Sequence, residues 1–393
     1  MKNKIIVLHK FALYFNNSLR YYYCMSIFYR LKKFLPSLLI VSFLIFVNSA
    51  FTQKWDIGQT VDIILHDFVP VEELESTTIM VHSLEDLNFI DIDFRPKVKR
   101  IQIRGHYYRD IPQKEMSLIT EMLSKDFKHL EQLFIEHVQL DNVEFLKTIP
   151  NLTVLRVTDT QLVDLTPIAS LKNLQVLEIY NNKIKNIAPI QGLAKLFWLD
   201  IAGNQVQSIY PVKGLKLTDF KAGDNQFIDL WPLENMVSLK WLSVFQTREG
   251  SARIKDIRPL YKLTNLTDLF LRDNEISSIW SLQNLTQLET LSLDGNKIID
   301  IRGLKKLDRL KSLSLKDNEI WDARVVEHLR NLDYLNLDGN DELENIEDGE
   351  ELYAPRKRKY EEIVTGSQNG YSYKLEEWSD QSDDYFDNDE DIY

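Results

Sequence analysis

The sequence repeats itself with a fixed period of 22 residues between positions 263 and 306. A period of this length predicts a stack of repeats, because one repeat is too short to bury its own apolar face and its neighbours must cover it. Function should therefore be sought first on the surface of the stack. The recurring pairs are Leu263 and Leu285, Leu266 and Leu288, Leu269 and Leu291, Leu271 and Leu293, Asn274 and Asn296, Ile276 and Ile298, Ile279 and Ile301, and Leu282 and Leu304.

Ten consecutive units keep this register from residue 127 onward. The unit at 215 is one residue shorter than the period, and the unit at 236 is five residues longer. In the stretch VLEIY at 176–180, Leu177 and Ile179 alternate with the other residues, which predicts a strand with two different faces. The units begin at Phe127, Ile149, Leu171, Leu193, Leu215, Met236, Leu263, Leu285, Leu307 and Leu329.

The spacing L-x-x-L-x-L-x-x-N resembles that of leucine-rich repeats, and the I-x-x-I-x-x-L that follows resembles the short repeats of bacterial internalins. The resemblance covers residues 127–350. It implies an α/β leucine-rich-repeat solenoid with a parallel β-sheet on the concave face and extended or 3-10 segments on the convex face. It also implies that the recurring asparagine turns a corner and bonds the adjoining backbone. That position is held by Asn182, Asn204, Asn225, Asn274, Asn296, Asn318 and Asn340, and by Val138, Thr160 and Thr247 in the remaining units.

Residues 1–50 have the pattern of an export signal. Lys32 and Lys33 precede a mostly apolar stretch at 34–47, and small residues follow near Ala50. That stretch is shorter than the roughly 20 residues that span a bilayer. We expect cleavage near residue 50, with Met25 as the true start, and an uncleaved anchor as the alternative. The only cysteine, Cys24, lies in this segment, so the mature chain is expected to lack a thiol.

The repeats are flanked by two further regions. Residues 51–126 are interpreted as an N-terminal cap, with a strand-like spacing at 98–105, an amphipathic helix at 113–127, and the stretch FIDIDF as a possible further strand. Residues 351–393 form a charged, acidic tail. Its last eighteen residues carry nine acids and no base, so we expect this tail to be disordered.

Charge narrows the choice of partners. The chain has a formal net charge of −12, which argues against nucleic acid, because an acidic protein repels phosphate backbones. The outward strand positions and the residue that follows them hold eleven acids and four Lys or Arg in the ten units. The concave face is therefore predicted to be acidic.

Aromatic residues in neighbouring units mark the candidate binding surface. We expect them to be exposed on the concave face, because other side chains already fill the core, and exposed aromatic clusters are typical of binding hot spots. The alternative is that these rings pack on one another. The long unit inserts polar residues at 246–257, which should loop out at the rim nearby. The predicted partner-binding residues are Glu178, Tyr180, Trp198, Asp200, Asp219, Lys221, Trp241, Phe245, Phe270 and Arg272.

The sequence offers no motif for catalysis. The seven histidines are scattered, and neither a Gly-rich phosphate loop nor a nucleophile motif is present, so no enzyme activity, cofactor or metal site is predicted. The favoured function is an exported, bacterial, non-enzymatic interaction module that binds a protein, peptide or glycan. It would be a monomer without a membrane span, and it would be secreted, periplasmic or on the cell surface. The alternative is an intracellular regulatory scaffold that resembles acidic leucine-rich nuclear proteins, with the basic run at 356–359 as a localisation signal.

Overall fold

The computed structural model describes residues 78–341 except 89, 91, 106–110 and 141. Its central element is one parallel sheet of twelve strands that follow one another in chain order. The strands are β1 (Thr78–Val81), β2 (Arg100–Arg104), β3 (Gln132–Glu136), β4 (Val154–Thr158), β5 (Val176–Glu178), β6 (Trp198–Asp200), β7 (Asp219–Lys221), β8 (Trp241–Ser243), β9 (Asp268–Phe270), β10 (Thr290–Ser292), β11 (Ser312–Ser314) and β12 (Tyr334–Asn336).

The core forms because equivalent apolar positions stack in register from one strand to the next. Leu177 in β5 pairs with Leu199 in β6, which pairs with Phe220 in β7, and all three side chains are fully buried. Each such burial stabilises the fold by about 2 kcal/mol relative to an exposed side chain. One continuous core therefore runs along the whole sheet.

On the side opposite the sheet, each of the first nine repeats returns through a short 3-10 turn. Five of the nine turns in the repeats have proline as their second residue, where its fixed φ suits the turn and its missing N–H costs no helical bond. The expected solenoid, with a parallel sheet on one side and extended or 3-10 segments on the other, is confirmed. The turns are Glu144–Thr148, Thr166–Ser170, Ala188–Gly192, Tyr210–Val212, Trp231–Leu233, Arg258–Lys262, Trp280–Asn284, Arg302–Leu304 and Arg324–His328.

A ladder of buried asparagines joins the repeats at the corner after each strand. Asn296 is representative: its Oδ1 accepts a hydrogen bond from the Ile276 N–H at 3.0 Å. Its Nδ2 donates to the carbonyl oxygens of Leu271 at 3.0 Å and Leu293 at 2.8 Å. One side chain thus satisfies backbone groups of its own repeat and of the preceding one.

The ladder changes at the eighth strand. The expectation that Thr247 takes the place of the asparagine is wrong, because Thr247 is exposed and donates to Asp224, while Gln246 is fully buried instead. The side-chain amide of Gln246 has no hydrogen-bond partner among the described residues, so it does not make the bonds that the asparagine makes in other repeats. Thr160 keeps its expected place and donates to Asn182 Oδ1 at 2.9 Å.

The sheet extends N-terminal to the ten repeats through β1 and β2. Helix α1 (Leu84–Asn88) follows β1, and helix α2 (Gln113–Asp126) follows β2. As the pattern predicted, α2 buries Met116, Ile119 and Leu123. A strand at FIDIDF is wrong, because residues 92–94 form a turn that leads into the 3-10 turn Arg95–Lys97. Asp and Pro in this stretch favour turns over a sheet ladder.

Several sequence-based expectations concern residues outside the described part of the chain. These are the export signal at 1–50 with Met25 and Cys24, and the acidic tail at 351–393. The division into signal, cap, repeats and tail stays a prediction. Across the described ranges, helices capable of crossing a membrane are absent, and no group of three or more His, Cys, Asp or Glu is arranged to hold a metal ion.

The asparagine ladder makes a prediction about stability. Asn296→Ala is expected to lower the free energy of unfolding by about 2 kcal/mol or more, because it leaves buried backbone groups of two repeats unpaired. Urea denaturation measures the change. Asn284→Ala is the control, since Asn284 is exposed. Equal effects of the two substitutions would contradict the role assigned to the ladder.

Candidate interaction surface

The candidate surface is the side of the sheet that faces away from the core, here called the inner face. Strand alternation builds it, because the residues on either side of each buried leucine point outward together. The register places Trp198 between Val176 and Asp219, and places Asp200 between Glu178 and Lys221. The ten residues predicted for partner binding all lie on β5–β9 or within two residues of the ends of these strands, so the fold brings them to one face.

Ion pairs run along the inner face from one strand to the next. Arg156 bonds Glu136 at 3.0 Å and also bonds Glu178 on the other side. Lys221 lies 3.8 Å from Asp200. The three carboxylates are buried and face cations, and such charge-assisted contacts are stronger than neutral hydrogen bonds. Glu178 and Asp200, both predicted to bind a partner, therefore have partners within the chain.

Trp198 is not exposed as the sequence predicted. Its side chain is only 8% exposed, and Lys221 Nζ lies 5.1 Å from the centre of its ring. Strands are about 4.8 Å apart, so a ring of this size on one strand must overlap the side chains of its neighbours. The expectation that this tryptophan stands free on the face is wrong, and the ring forms part of the inner-face packing.

The accessible part of the predicted surface lies on β7–β9. Trp241 is partly exposed and stacks on Phe270 with ring centres 4.7 Å apart. Beside this pair, the exposed guanidinium of Arg272 lies 5.0 Å from the ring centre of Phe245. Tyr180, Asp219 and Lys221 are also partly exposed. The aromatic residues do pack on one another, and they do so while keeping one edge open to solvent.

Asp268 belongs to this surface but was not among the predicted residues. The register places Trp241 between Asp219 and Asp268. Each carboxylate accepts a hydrogen bond from the threonine before it, Thr218 at 2.6 Å and Thr267 at 2.7 Å. The signal in the sequence was the outward strand position that Asp268 shares with Trp241 and Asp219.

Several acids beside the asparagine corner have a structural role. Asp224, Asp273 and Asp317 adopt left-handed backbone with φ of 53°, 60° and 53°. Asp tolerates this conformation better than most residues, which explains its presence one position before the corner asparagine. The acidic composition of this edge thus reflects turn geometry in part.

The inserted residues lie along the edge of the sheet at which the strands end. Arg248 donates to Asn181 Oδ1 at 2.6 Å and to the Gly203 carbonyl at 3.2 Å, and its backbone N–H bonds Asp224 at 2.9 Å. Any Cβ at Gly203 would come within 2.8 Å of this guanidinium. Residues 247–250 are exposed at the rim, as predicted, and Arg248 ties them to three preceding repeats.

Burial shifts the titration of the charged groups on this face. It raises the pKa of Asp200 to about 6 despite the nearby Lys221. It also raises the pKa of Asp219, lowers the pKa of Lys221, and raises the pKa of Tyr180 to about 12. Desolvation disfavours the charged form of each group. Burial therefore makes the charged form of each of these four groups less favourable than it is in water.

A second set of aromatic residues escaped the sequence analysis. Tyr210, Trp231, Trp280 and Trp321 are between 47% and 59% exposed. Three of them begin 3-10 turns in their repeats, on the side opposite the sheet. The sequence indicates these three by a large aromatic residue at the first position of the return turn, where the core has no place for it.

Comparison with known families agrees with this architecture. The family model described as "Leucine rich repeat" matches residues 150–206. The model "Leucine Rich repeats (2 copies)" matches residues 264–306 and 286–325. No curated protein matches the sequence. The repeated pattern and the twelve-stranded parallel sheet define the chain as a leucine-rich repeat protein.

Several solved structures of leucine-rich repeat proteins are similar to this chain. An internalin (inlF) from Listeria monocytogenes is 26% identical with a TM-score of 0.54, and the match covers 68% of this chain and 89% of that one. Internalin C2 (inlC2) from the same organism is 30% identical with a TM-score of 0.43, covering 49% and 82%. A leucine-rich repeat protein from Leptospira interrogans is 19% identical with a TM-score of 0.47, covering 70% and 84%.

The chain is a leucine-rich repeat protein of internalin-like type. Folds of this class generally mediate protein–protein interactions, and they are typically non-enzymatic.

The burial of Trp198 makes a prediction. Trp198→Ala is expected to lower the free energy of unfolding by about 3 kcal/mol, because it removes a large buried ring and leaves a cavity. Trp280→Ala, which removes a ring that is 51% exposed, should cost about 1 kcal/mol or less. Thermal and urea denaturation of both variants test this difference. If Trp198→Ala were the milder substitution, the ring would not belong to the packed face.

The raised pKa of Asp200 makes a prediction about pH. Between about pH 4 and 6 the folded chain holds a proton on Asp200 that the unfolded chain has lost, so stability falls as the pH rises through this window. The Asp200→Asn variant cannot titrate at this position. Over the same pH window, its free energy of unfolding should fall by up to about 3 kcal/mol less than that of the wild type. Urea denaturation at several pH values measures this difference.

Asp164→Asn is the control for the pH experiment. Hydrogen bonds from Thr166 lower the pKa of Asp164, so this carboxylate adds stability as the pH rises. Removing it should change the pH profile in the opposite direction. Parallel profiles for wild type and Asp200→Asn would show that the Asp200 pKa is not raised in the folded chain.

Proposed function

We propose that this protein is an exported interaction module that binds a protein or peptide through the inner face of β5–β9. The partly exposed Trp241–Phe270 pair is the observation that carries the proposal. Tryptophan, tyrosine and arginine dominate binding hot spots because they combine large apolar area with directional polar contacts. Here the tryptophan is accessible, and Arg272 and Phe245 lie beside it.

The rigidity of this surface supports the same function. Trp241 and Phe270 lie on hydrogen-bonded strands of a continuous sheet, and Arg272 lies against the ring of Phe245. A partner would not have to order these side chains on binding, which lowers the entropic cost of association. The buried ion pairs on β4–β7 then support the neighbouring strands, which carry the accessible rings.

The charge around Trp241 favours a partner with a basic side chain at its centre. Asp219 and Asp268 flank the ring on the two neighbouring strands. In the described part of the chain, neither carboxylate has an ion-pair partner within 4 Å. A lysine or arginine of the partner could lie over the ring and between the carboxylates, where cation–π and ionic attraction act together.

Export is the part of the proposal that rests on sequence alone. Residues 1–50 combine a basic start, an apolar stretch of signal length and small residues near position 50. N-terminal sequencing of the chain recovered from the culture medium or cell surface tests it. Recovery with an intact N-terminus in the cytoplasm would favour the intracellular scaffold instead.

Panning of a random peptide library on the full mature chain tests the binding face. Selected peptides should lose binding to Trp241→Ala and to Phe270→Ala, since each substitution removes half of the stacked pair. They should keep binding to Trp280→Ala, which removes an exposed tryptophan on the opposite side. If Trp280→Ala abolished binding and Trp241→Ala did not, the recognition surface would lie on the return segments.

A further inference from the structure

In the turns that lead into the strands, Lys and Arg outnumber the acidic residues. These turns, residues 171–175, 193–197, 213–218, 235–240, 261–267, 285–289 and 305–311, precede β5–β11 and are here called the basic rim. They hold ten Lys or Arg and two acids, Glu289 and Asp308. The chain as a whole has a net charge of −12. The rim therefore carries a charge opposite to that of the rest of the molecule.

Backbone hydrogen bonds hold the turns of the basic rim in one column. The N–H groups of Thr218, Lys240 and Thr267 each donate at 2.8 Å to the residue that precedes the previous strand. The same bond joins Lys311 to Glu289 at 2.8 Å. Strands in a sheet lie about 4.8 Å apart, so the cations follow one another at short intervals along one edge of the sheet.

Most of these cations have no ionic partner. In the part of the chain that the structure describes, Lys262 and Lys311 are the rim residues that form ion pairs, with Glu234 at 2.7 Å and Glu289 at 2.5 Å. Lys172, Lys216 and Lys240 are exposed. Lys305 and Lys306 are exposed as well and lie side by side. The turn before β12 adds one Arg and one Asp, whose charges cancel.

The complementary charge lies in the C-terminal region of the same chain. Residues 376–393 carry nine acids and no base. They follow the last repeat, and the 52 residues from 342 to 393 can span at most about 170 Å. The distance from β12 back to β5 is about 34 Å at the usual strand spacing. Length therefore allows the segment to reach every part of the rim.

We propose that residues 376–393 dock on the basic rim of the same chain. A series of carboxylates then lies along a series of lysines. Each exposed ion pair is weak, but the segment is tethered, so its effective concentration at the rim is high and many pairs can form together. The segment would cover the rim and leave the inner face open. External polyanions would have to displace it before they could bind.

Zero-length carbodiimide cross-linking of the full mature chain tests the proposal, because it joins a carboxylate to a lysine only at direct contact. Mass spectrometry should find residues 376–393 joined to Lys172, Lys240, Lys305 and Lys306 several-fold more often than to Lys183 and Lys185. The last two are exposed lysines outside the rim. At about 0.5 M salt these cross-links should disappear, because screening weakens exposed charge pairs.

A variant and its control sharpen the test. Lys305→Gln with Lys306→Gln and Arg309→Gln should reduce the cross-links that remain at Lys240 and Lys172 several-fold, if the segment docks as a unit. Lys183→Gln with Lys185→Gln should leave them unchanged. All five substituted residues are exposed, so the thermal midpoint should stay constant in both variants.

Other occupants give different results. Cross-links confined to Lys357 and Lys359 would show that the acidic segment pairs with its own basic run at 356–359, and would overturn the proposal. So would cross-links spread evenly over all exposed lysines. An equal mixture of 15N-labelled and unlabelled chains identifies joins between two copies, which would also contradict it. A heparin fragment should compete for the same lysines and remove the rim cross-links.

Discussion

The structure depends on the way each repeat satisfies its backbone where the chain turns out of the sheet. A turn buried between two repeats leaves N–H and C=O groups without strand partners, and each unpaired group costs about 1–3 kcal/mol. In seven of the ten repeats one asparagine meets this need, and in the representative Asn296 the carbonyl oxygen bonds the preceding repeat and the amide bonds both. This bond fixes the corner of each of these repeats against the preceding one and so helps to keep the leucine rows aligned.

The regular register has a direct effect on the inner face. Short strands leave only a few outward positions in each repeat, and neighbouring strands are close enough that large side chains touch. Trp198, Lys221 and Asp200 therefore pack together instead of facing solvent. A side chain of this face stays partly accessible to solvent where its packing partner is another ring, as for Trp241 and Phe270. The same spacing that builds the platform thus decides which of its side chains a partner can reach.

Charge is separated across the molecule by the same geometry. Acids gather after the strands, where left-handed backbone favours Asp at positions such as Asp224 and Asp273. Lysines gather in the turns before the strands, which lie exposed at the other edge. A solenoid repeats both edges in every unit, so small local preferences add up to two long surfaces of different charge. The inner face between them contains ion pairs and aromatic rings.

The sequence by itself determined the repeat length, the parallel sheet, the 3-10 return turns and the corner asparagines, because each of these follows from a local pattern repeated in phase. It also identified the residues of the inner face. Tertiary structure alone decided their exposure. Trp198 and Trp241 occupy equivalent strand positions, yet one is buried against Lys221 and the other remains accessible beside Phe270. The burial of Gln246 and the exposure of Thr247 have the same origin. Both depend on contacts between side chains of neighbouring repeats, and a pattern within one repeat does not contain them.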